Sequence, residues 1–114
     1  MKLPHTIPEM LNMLDISGPS DSRWGEVVVR QLLRSWIDDK DELIPRLAAK
    51  GVVLDYRCTL QNNKVRGVSV VARGSAIEGE LVLGSAERRE DESLAVPLRD
   101  LAEQVRHQAQ LAFL

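Results

Sequence analysis

The stretch that decides the fold is residues 52–60, which read Val-Val-Leu-Asp-Tyr-Arg-Cys-Thr-Leu. Apolar side chains occupy every second position from Val52 to Leu60, and polar ones such as Asp55 and Arg57 lie between them. Successive side chains of a strand point to opposite faces, so a repeat of two predicts a strand with one buried face. Such a strand needs partners in a sheet and a layer of helix against its apolar side.

Two more stretches with the same alternation follow at short intervals. Residues 67–73 and 77–83 both place apolar side chains at every second position. Asn62 and Asn63 separate the first stretch from the second, and asparagine tolerates the positive φ of a tight turn. Residues 74–75, Gly-Ser, are predicted to turn the chain again. Three strands with short connections predict an antiparallel meander.

Helical patterns lie on both sides of the predicted meander. Apolar residues at intervals of three and four predict a long helix over residues 22–38. A second helix is predicted over residues 42–50, with Asp41 as its cap. Pro97 suits the first position of the last helix, because the first turn does not need the missing N–H.

The pattern also predicts two short elements. Thr6 is predicted to cap a short helix within residues 4–14, and residues 94–96 are predicted to form a fourth strand. The predicted fold class is therefore α+β, an antiparallel three- to four-stranded meander with helices packed on one face, in the order α-α-α-β-β-β-(β)-α. The length of 114 residues fits one domain. The predicted organisation is a single domain, 1–114, with an N-terminal short helix and loop over 1–21 and an α+β core over 22–114.

Composition argues against several classes of function. The net charge is −2 and the isoelectric point is about 5.7, whereas dedicated binders of duplex DNA carry a basic excess. No apolar run approaches the ~20 residues that cross a bilayer, and the N-terminus carries no apolar signal segment. The one cysteine, Cys58, cannot form an internal disulfide, and no metal-binding spacing of Cys or His occurs. The chain is therefore predicted to be cytoplasmic, without a membrane contact, a metal or a cofactor.

No combination of nucleophile, base and orienting group stands out in the sequence. Cys58 shares the predicted inner face of its strand and is expected to be a buried structural thiol. His5 and His107 are expected at the surface. The carboxylates are grouped: those of residues 38–42 are expected to serve a helix start, and those of residues 90–92 to belong to a solvated loop. No catalytic residue is predicted, and the chain is not expected to be an enzyme.

The first two predicted strands form a basic hairpin in an acidic chain. Between residues 51 and 75 there are four cations and one acid, Asp55, a net charge of +3. Such a hairpin can contact the phosphates of nucleic acid, or it can be ordinary edge and turn charge that discourages aggregation. Its one aromatic residue, Tyr56, is predicted to face inward, so the aromatic platforms on which single strands stack are missing. The residues of the predicted nucleic-acid contact are Arg57, Lys64, Arg66 and Arg73.

Three segments carry a resemblance to a known family. They are DELIPRLAAKGV (41–52), KVRGVSV (64–70) and AIEGELVLG (76–84). Their order is similar to a helix ending in L..GV, a strand G..G.SF and a segment IKGS.LG in an accessory module of bacterial plasmid mobilisation relaxases. Glu78 stands where that pattern has a lysine, and Val70 where it has an aromatic residue. The tyrosine nucleophile and histidine triad of relaxases have no counterpart here, so the resemblance implies a non-catalytic accessory module over residues 41–84.

The predicted function is a non-catalytic binding module. Its more specific form is an accessory domain in DNA processing or plasmid mobilisation that contacts nucleic acid through the basic hairpin. The alternative is a protein–protein interaction domain, such as a secretion chaperone, an immunity-type inhibitor or an oligomerising adaptor, and a homo-oligomer is one form of it. The acidic balance, the small size and the apolar C-terminal end fit this alternative. The residues of the predicted protein contact are Leu111, Phe113 and Leu114.

Overall fold

The computed structural model describes residues 6, 8–10, 22–75, 77–89 and 93–114, and for residues 22–24 it describes the backbone only. The strands pair antiparallel in the order β1-β2-β3, which confirms the predicted α+β meander. The bounds predicted for the second and third helices, 22–38 and 42–50, lie within one residue of the observed bounds. The elements are α1 (Ser22–Asp38), α2 (Leu43–Ala49), β1 (Val52–Gln61), β2 (Lys64–Gly74), β3 (Leu81–Glu87) and α3 (Ala95–Phe113).

The helices cover one face of the sheet. Tyr56, Val70 and Gly84 lie opposite one another across the three strands and belong to this inner face. α3 packs on β3 and on α1, and it comes so close to Gly84 that a Cβ there would lie 2.9 Å from the Leu101 side chain. Among the described residues, the largest fully buried side chains are all leucine, isoleucine and valine, in keeping with the low aromatic content. The core is therefore a single layer of aliphatic side chains between the sheet and the helices.

The first hairpin has the predicted turn. Gln61 pairs with Lys64, and the two residues between them, Asn62 and Asn63, have φ angles of 53° and 61°. Positive φ at both central residues is the signature of a type I′ turn, whose twist matches that of the flanking strands. The turn therefore accounts for the pairing of Gln61 with Lys64, and an irregularity between Thr59 and Leu60 shifts the register of the rest of β1 against β2.

The third strand begins later than the alternation predicts. A strand is predicted over residues 77–83, but β3 starts at Leu81 and ends at Glu87. Ile77 lies in a bend, where its N–H donates to the carbonyl of Gly74 (3.1 Å). From this bend Ile77 still packs against the core. The predicted bounds are wrong because the apolar spacing continues through residues that are not extended.

The predicted fourth strand at residues 94–96 is wrong. Ala95 and Val96 belong to α3, and Pro97 is the third residue of that helix instead of its first. Proline is tolerated there because the first turn of a helix makes no use of the missing N–H. The Ala95 N–H donates to Ser93 Oγ (3.1 Å), which satisfies one of the free groups at this helix start.

Only part of the predicted N-terminal segment is described. Residues 8–10 form one helical turn, and the Glu9 N–H donates to Thr6 Oγ1 (3.2 Å), so the predicted Thr6 cap is present. The other residues of the predicted segment 4–14, among them His5, lie outside the described residues, as does the predicted loop up to residue 21. The division of the chain at residue 21 stays a prediction.

The junction between α1 and α2 corrects the predicted cap. Asp38, at the end of α1, accepts a hydrogen bond from the Ile44 N–H (2.8 Å). The Asp41 carboxylate pairs instead with Arg106 of α3, which also donates to the backbone carbonyls of Ile37 (2.5 Å) and Asp39 (2.8 Å). The prediction that Asp41 caps α2 is wrong because a guanidinium from a distant helix holds that carboxylate.

Candidate binding surfaces

Four charged side chains form a network on the outer face of the sheet, which is the face opposite the described helices. Arg57 and Arg73 lie on this face because the register alternates them with the inward-facing residues of β1 and β2. Both reach Glu80, just before β3: Arg57 hydrogen-bonds it, and Arg73 lies 3.9 Å from it. Arg73 also lies 3.5 Å from Asp55. We call Asp55, Arg57, Arg73 and Glu80 the outer network.

Val71 lies beneath the outer network. It belongs to the outer face, opposite Val82 of β3, and is nevertheless only 1% exposed. The hydrogen bond between Arg57 and Glu80 joins β1 to the segment before β3, so it passes over the central strand β2. The two side chains therefore shield Val71 from water, whereas Val82, farther out on the same face, is 62% exposed.

The ion pair also shifts the protonation of both partners. The hydrogen bond and the charge of Arg57 lower the pKa of the Glu80 carboxyl below its ordinary value. The same contact raises the pKa of Arg57. Both side chains are exposed to solvent, which screens such pairs, so the network contributes more to the charge pattern of the surface than to stability.

Three of the four residues of the predicted nucleic-acid contact have carboxylate partners. Arg57 and Arg73 belong to the outer network, and Arg66 lies 3.5 Å from Glu87. Lys64, at the turn, has no ion-pair partner among the described residues. The charge count over residues 51–75 missed these carboxylates, because Glu80 lies just before β3 and Glu87 at its end. Nucleic-acid contact through these residues stays a prediction.

The predicted protein-contact residues at the C-terminus do not share one surface. Leu111, in the last turn of α3, is 69% exposed, and Leu114, which follows the end of the helix, is 44% exposed. Phe113 packs partly against the core. Only two of the three side chains are therefore exposed to solvent, and their role in binding stays a prediction.

An open groove of about 370 Å³ runs along the outer edge of β1. β1 is the first strand of the sheet, so among the described residues this edge of its backbone has no neighbouring strand. Five consecutive residues, Val52 to Tyr56, line the groove. Successive side chains of a strand point to opposite faces, so a groove that meets five in a row follows the edge of the strand and not one face. We call it the β1-edge groove.

Two helices form the other wall of the β1-edge groove. α2 contributes Ile44, Leu47 and Ala48, so this part of the wall is apolar. α1 contributes Arg30 and Arg34, which lie one turn apart. Arg30 lies 3.8 Å from Glu26, whereas Arg34 has no ion-pair partner among the described residues.

Sequence reasoning missed this groove, although one signal was present. Val53 is an apolar residue at a position that the alternation assigns to the polar face, and it is 65% exposed at the groove. Tyr56, at the inner end, has its pKa raised to about 12 by burial, against a lowering effect of the Arg34 charge and a raising effect of Asp38. Arg34 therefore lies near Tyr56 at this end of the groove.

Two further residues considered from the sequence, Cys58 and His107, and one further depression do not form a catalytic site. Cys58 is partly buried beside the core, and burial raises the pKa of its thiol to about 11, so it is protonated at neutral pH. His107 is exposed on α3, as predicted. A depression of about 300 Å³ contains Arg99, whose guanidinium lies 4.7 Å from the ring centre of Trp36, and Arg106, which holds the α1–α2 junction.

The described residues also bear on metals and membranes. Within them, no three side chains of His, Cys, Asp or Glu lie close enough together to hold a metal ion. None of the described helices combines the length and the apolar content that crossing a bilayer requires.

Another groove, of about 520 Å³, lies between the end of β3 and the start of α3. Its rim includes residues on either side of 90–92, and residues 90–92 lie outside the described part of the chain.

The similarity of residues 41–84 to a relaxase accessory module has no independent support from relatives. Comparison with protein-family models, curated proteins and solved structures finds no match for the chain, so this similarity stays a prediction.

Proposed function

We propose that this domain is a non-catalytic protein-interaction module whose partner lies in the β1-edge groove. The observation that supports the proposal is the groove itself, in which apolar side chains of α2 lie beside an edge of β1 that pairs with no other described strand. An open strand edge is a template for pairing with another chain. An apolar wall beside it offers the contact area that the side chains of a partner need.

The charge distribution supports a protein partner over nucleic acid. Proteins gain affinity for nucleic acid by placing unpaired cations against phosphates. Arg57, Arg66 and Arg73 already lie beside carboxylates of this chain, and the net charge is −2. Phosphate contact at these residues would have to break the existing ion pairs.

A cytoplasmic location fits this module. Cys58 is the only cysteine of the chain, so the fold uses no internal disulfide. Proteins that fold without disulfides suit a reducing compartment. We therefore place the module and its partner in the cytoplasm.

Selection from a random peptide display library tests the proposal. We expect the immobilised domain to enrich peptides that bind saturably in synthetic form. Ala48→Glu places a charge on the apolar wall of the groove and should abolish this binding. Ala49→Glu is the matched control, because Ala49 is exposed on the same helix and does not line the groove.

Two results would overturn the proposal. One is a selection that enriches no peptide, and the other is equal loss of binding in the Ala48→Glu and Ala49→Glu variants. Saturable binding of a labelled oligonucleotide, lost when Arg57 and Arg73 are replaced by glutamine, would favour the nucleic-acid hypothesis instead. Sedimentation at several protein concentrations shows whether the chain associates with a second copy, and loss of that association in Ala48→Glu would locate the second copy at the groove.

A further inference from the structure

Building on the proposed function, we infer that the partner presents an extended acidic segment, which adds to the edge of β1 as a fourth strand and places a carboxylate beside Arg34. Three observations lead to this occupant: the direction of the groove, the composition of its walls and the charge that remains unpaired at its rim.

The direction of the groove suits an extended chain. The groove follows residues 52–56, a stretch of roughly 17 Å at about 3.3 Å per residue. A helix is about 10 Å across and makes no hydrogen bonds with a strand edge, whereas a segment in strand conformation satisfies the open backbone groups of β1. In strand addition the backbone hydrogen bonds supply affinity, and alternate side chains supply specificity.

The walls of the groove determine which side chains of the added strand are apolar. Side chains of an added strand that point toward the helices meet Ile44 and Ala48, which line the groove and are accessible to solvent, so apolar residues are favoured there. Side chains that point to the other face lie beside Val53, which is exposed, and Asp55, which already pairs with Arg73. The segment is therefore expected to be apolar at every second position.

The rim of the groove favours an acidic partner. Asp38 is engaged by the start of α2, and Glu26 lies beside Arg30. Arg34 is then the charged side chain of the groove without an ion-pair partner among the described residues. A carboxylate of the partner would complete this pairing, and a lysine at the same place would meet a like charge.

A charge-reversal selection tests the inference. The peptide library is panned in parallel on the wild type, on Arg34→Glu and on Arg46→Glu, a control with the same charge change at an exposed position of α2 that does not line the groove. We expect the wild type and Arg46→Glu to enrich apolar-alternating peptides with Asp or Glu, and Arg34→Glu to enrich basic ones. A synthetic acidic peptide should bind Arg34→Glu about tenfold more weakly than the wild type.

Amide hydrogen exchange then identifies the binding mode. With the synthetic peptide bound, every second amide of residues 52–56 should exchange more slowly, and methylation of alternate peptide nitrogens should abolish binding. Two outcomes would overturn the inference and leave the proposed function standing. One is peptides that bind in the groove without this alternating protection, and the other is peptides whose charge preference is the same for the wild type and for Arg34→Glu. A selection that enriches no peptide overturns both.

Discussion

Cys58 lies partly buried on the inner face of β1, where desolvation raises the pKa of its thiol from 9.0 to about 11. The Glu26 carboxylate adds to this shift and Arg30 opposes it. The thiolate is the reactive form of cysteine, so the fold keeps this side chain inert at neutral pH. The alternation of residues 52–60 places Cys58 on the inner face of its strand, and it therefore predicted a structural thiol.

The reactivity of Cys58 should follow this shift. At mildly alkaline pH the folded protein should react with a thiol-alkylating reagent about 100-fold more slowly than the unfolded chain, because the pKa is higher by about two and each pKa unit changes the thiolate fraction tenfold. The rate for the folded protein should rise with pH up to about 11, whereas that of the unfolded chain should level off above 9. Mass spectrometry follows the reaction, and equal rates in both states would contradict the assigned burial.

The raised pKa also gives the sign of a stability effect. The folded state holds the Cys58 proton more tightly than the unfolded state, so the contribution of this group is complete below pH 9 and is lost as the pH rises toward 11. Between pH 9 and 11 the free energy of unfolding of the Cys58→Ala variant should therefore fall less than that of the wild type.

At the scale of elements, one arginine joins three helices. Arg106 of α3 donates to the backbone carbonyls of Ile37 and Asp39 and to the carboxylate of Asp41. These acceptors lie at the end of α1 and in the turn before α2, where carbonyl groups have no partner within the helix. The guanidinium satisfies them and thereby sets the position of α2, which forms one wall of the β1-edge groove.

Replacement of Arg106 should therefore weaken the whole helical layer. We expect Arg106→Gln to lower the free energy of unfolding by about 2 kcal/mol, the scale of hydrogen bonds to a charged group. Arg99→Gln is the matched control on the same helix, and loss of its contact with the Trp36 ring should cost only about 0.5–1 kcal/mol. Urea unfolding measures both, and a cost for Arg106→Gln no larger than for Arg99→Gln would argue against its role at the junction.

At the scale of the whole molecule, the outer network determines what the sheet presents to solvent. Two arginines and two carboxylates cancel one another and cover Val71 on a face opposite the described helices. A surface with paired charges has little attraction for nucleic acid, because binding requires free cations that neutralise phosphates and release the counterions condensed on them. The same hairpin would be basic if its carboxylate partners were removed.

Removing the acids of the outer network should create nucleic-acid affinity. Asp55→Asn with Glu80→Gln removes two negative charges, so the net charge of −2 becomes 0 and Arg57 and Arg73 are released. We expect this variant to bind labelled single-stranded DNA at low salt, with a log–log salt slope of about −1 to −2. Asp100→Asn with Glu103→Gln changes the net charge equally on α3 and should bind no better than the wild type. Fluorescence anisotropy compares them, and strong binding by the wild type itself would show that the ion pairs do not block phosphate contact.

The sequence alone determined the features that depend on near neighbours in the chain. The alternation of residues 52–60, the paired asparagines and the helical spacing of 22–38 each predict the element that the structure contains, because strand period, turn dihedral angles and helix period are set within a few residues. The predicted boundaries of β3 and the predicted start of α3 were wrong, because Ile77 and Pro97 suit more than one local conformation.

The tertiary structure alone decided which side chains meet. The pairing of Arg57 with Glu80 joins residues 23 apart, and that of Arg106 with Asp41 joins residues 65 apart. Such contacts depend on strand register and on the packing of α3, which no local pattern encodes. The structure thereby pairs three of the four cations of the basic hairpin with carboxylates. It also brings α1, α2 and the edge of β1 together as the groove that we propose holds the partner.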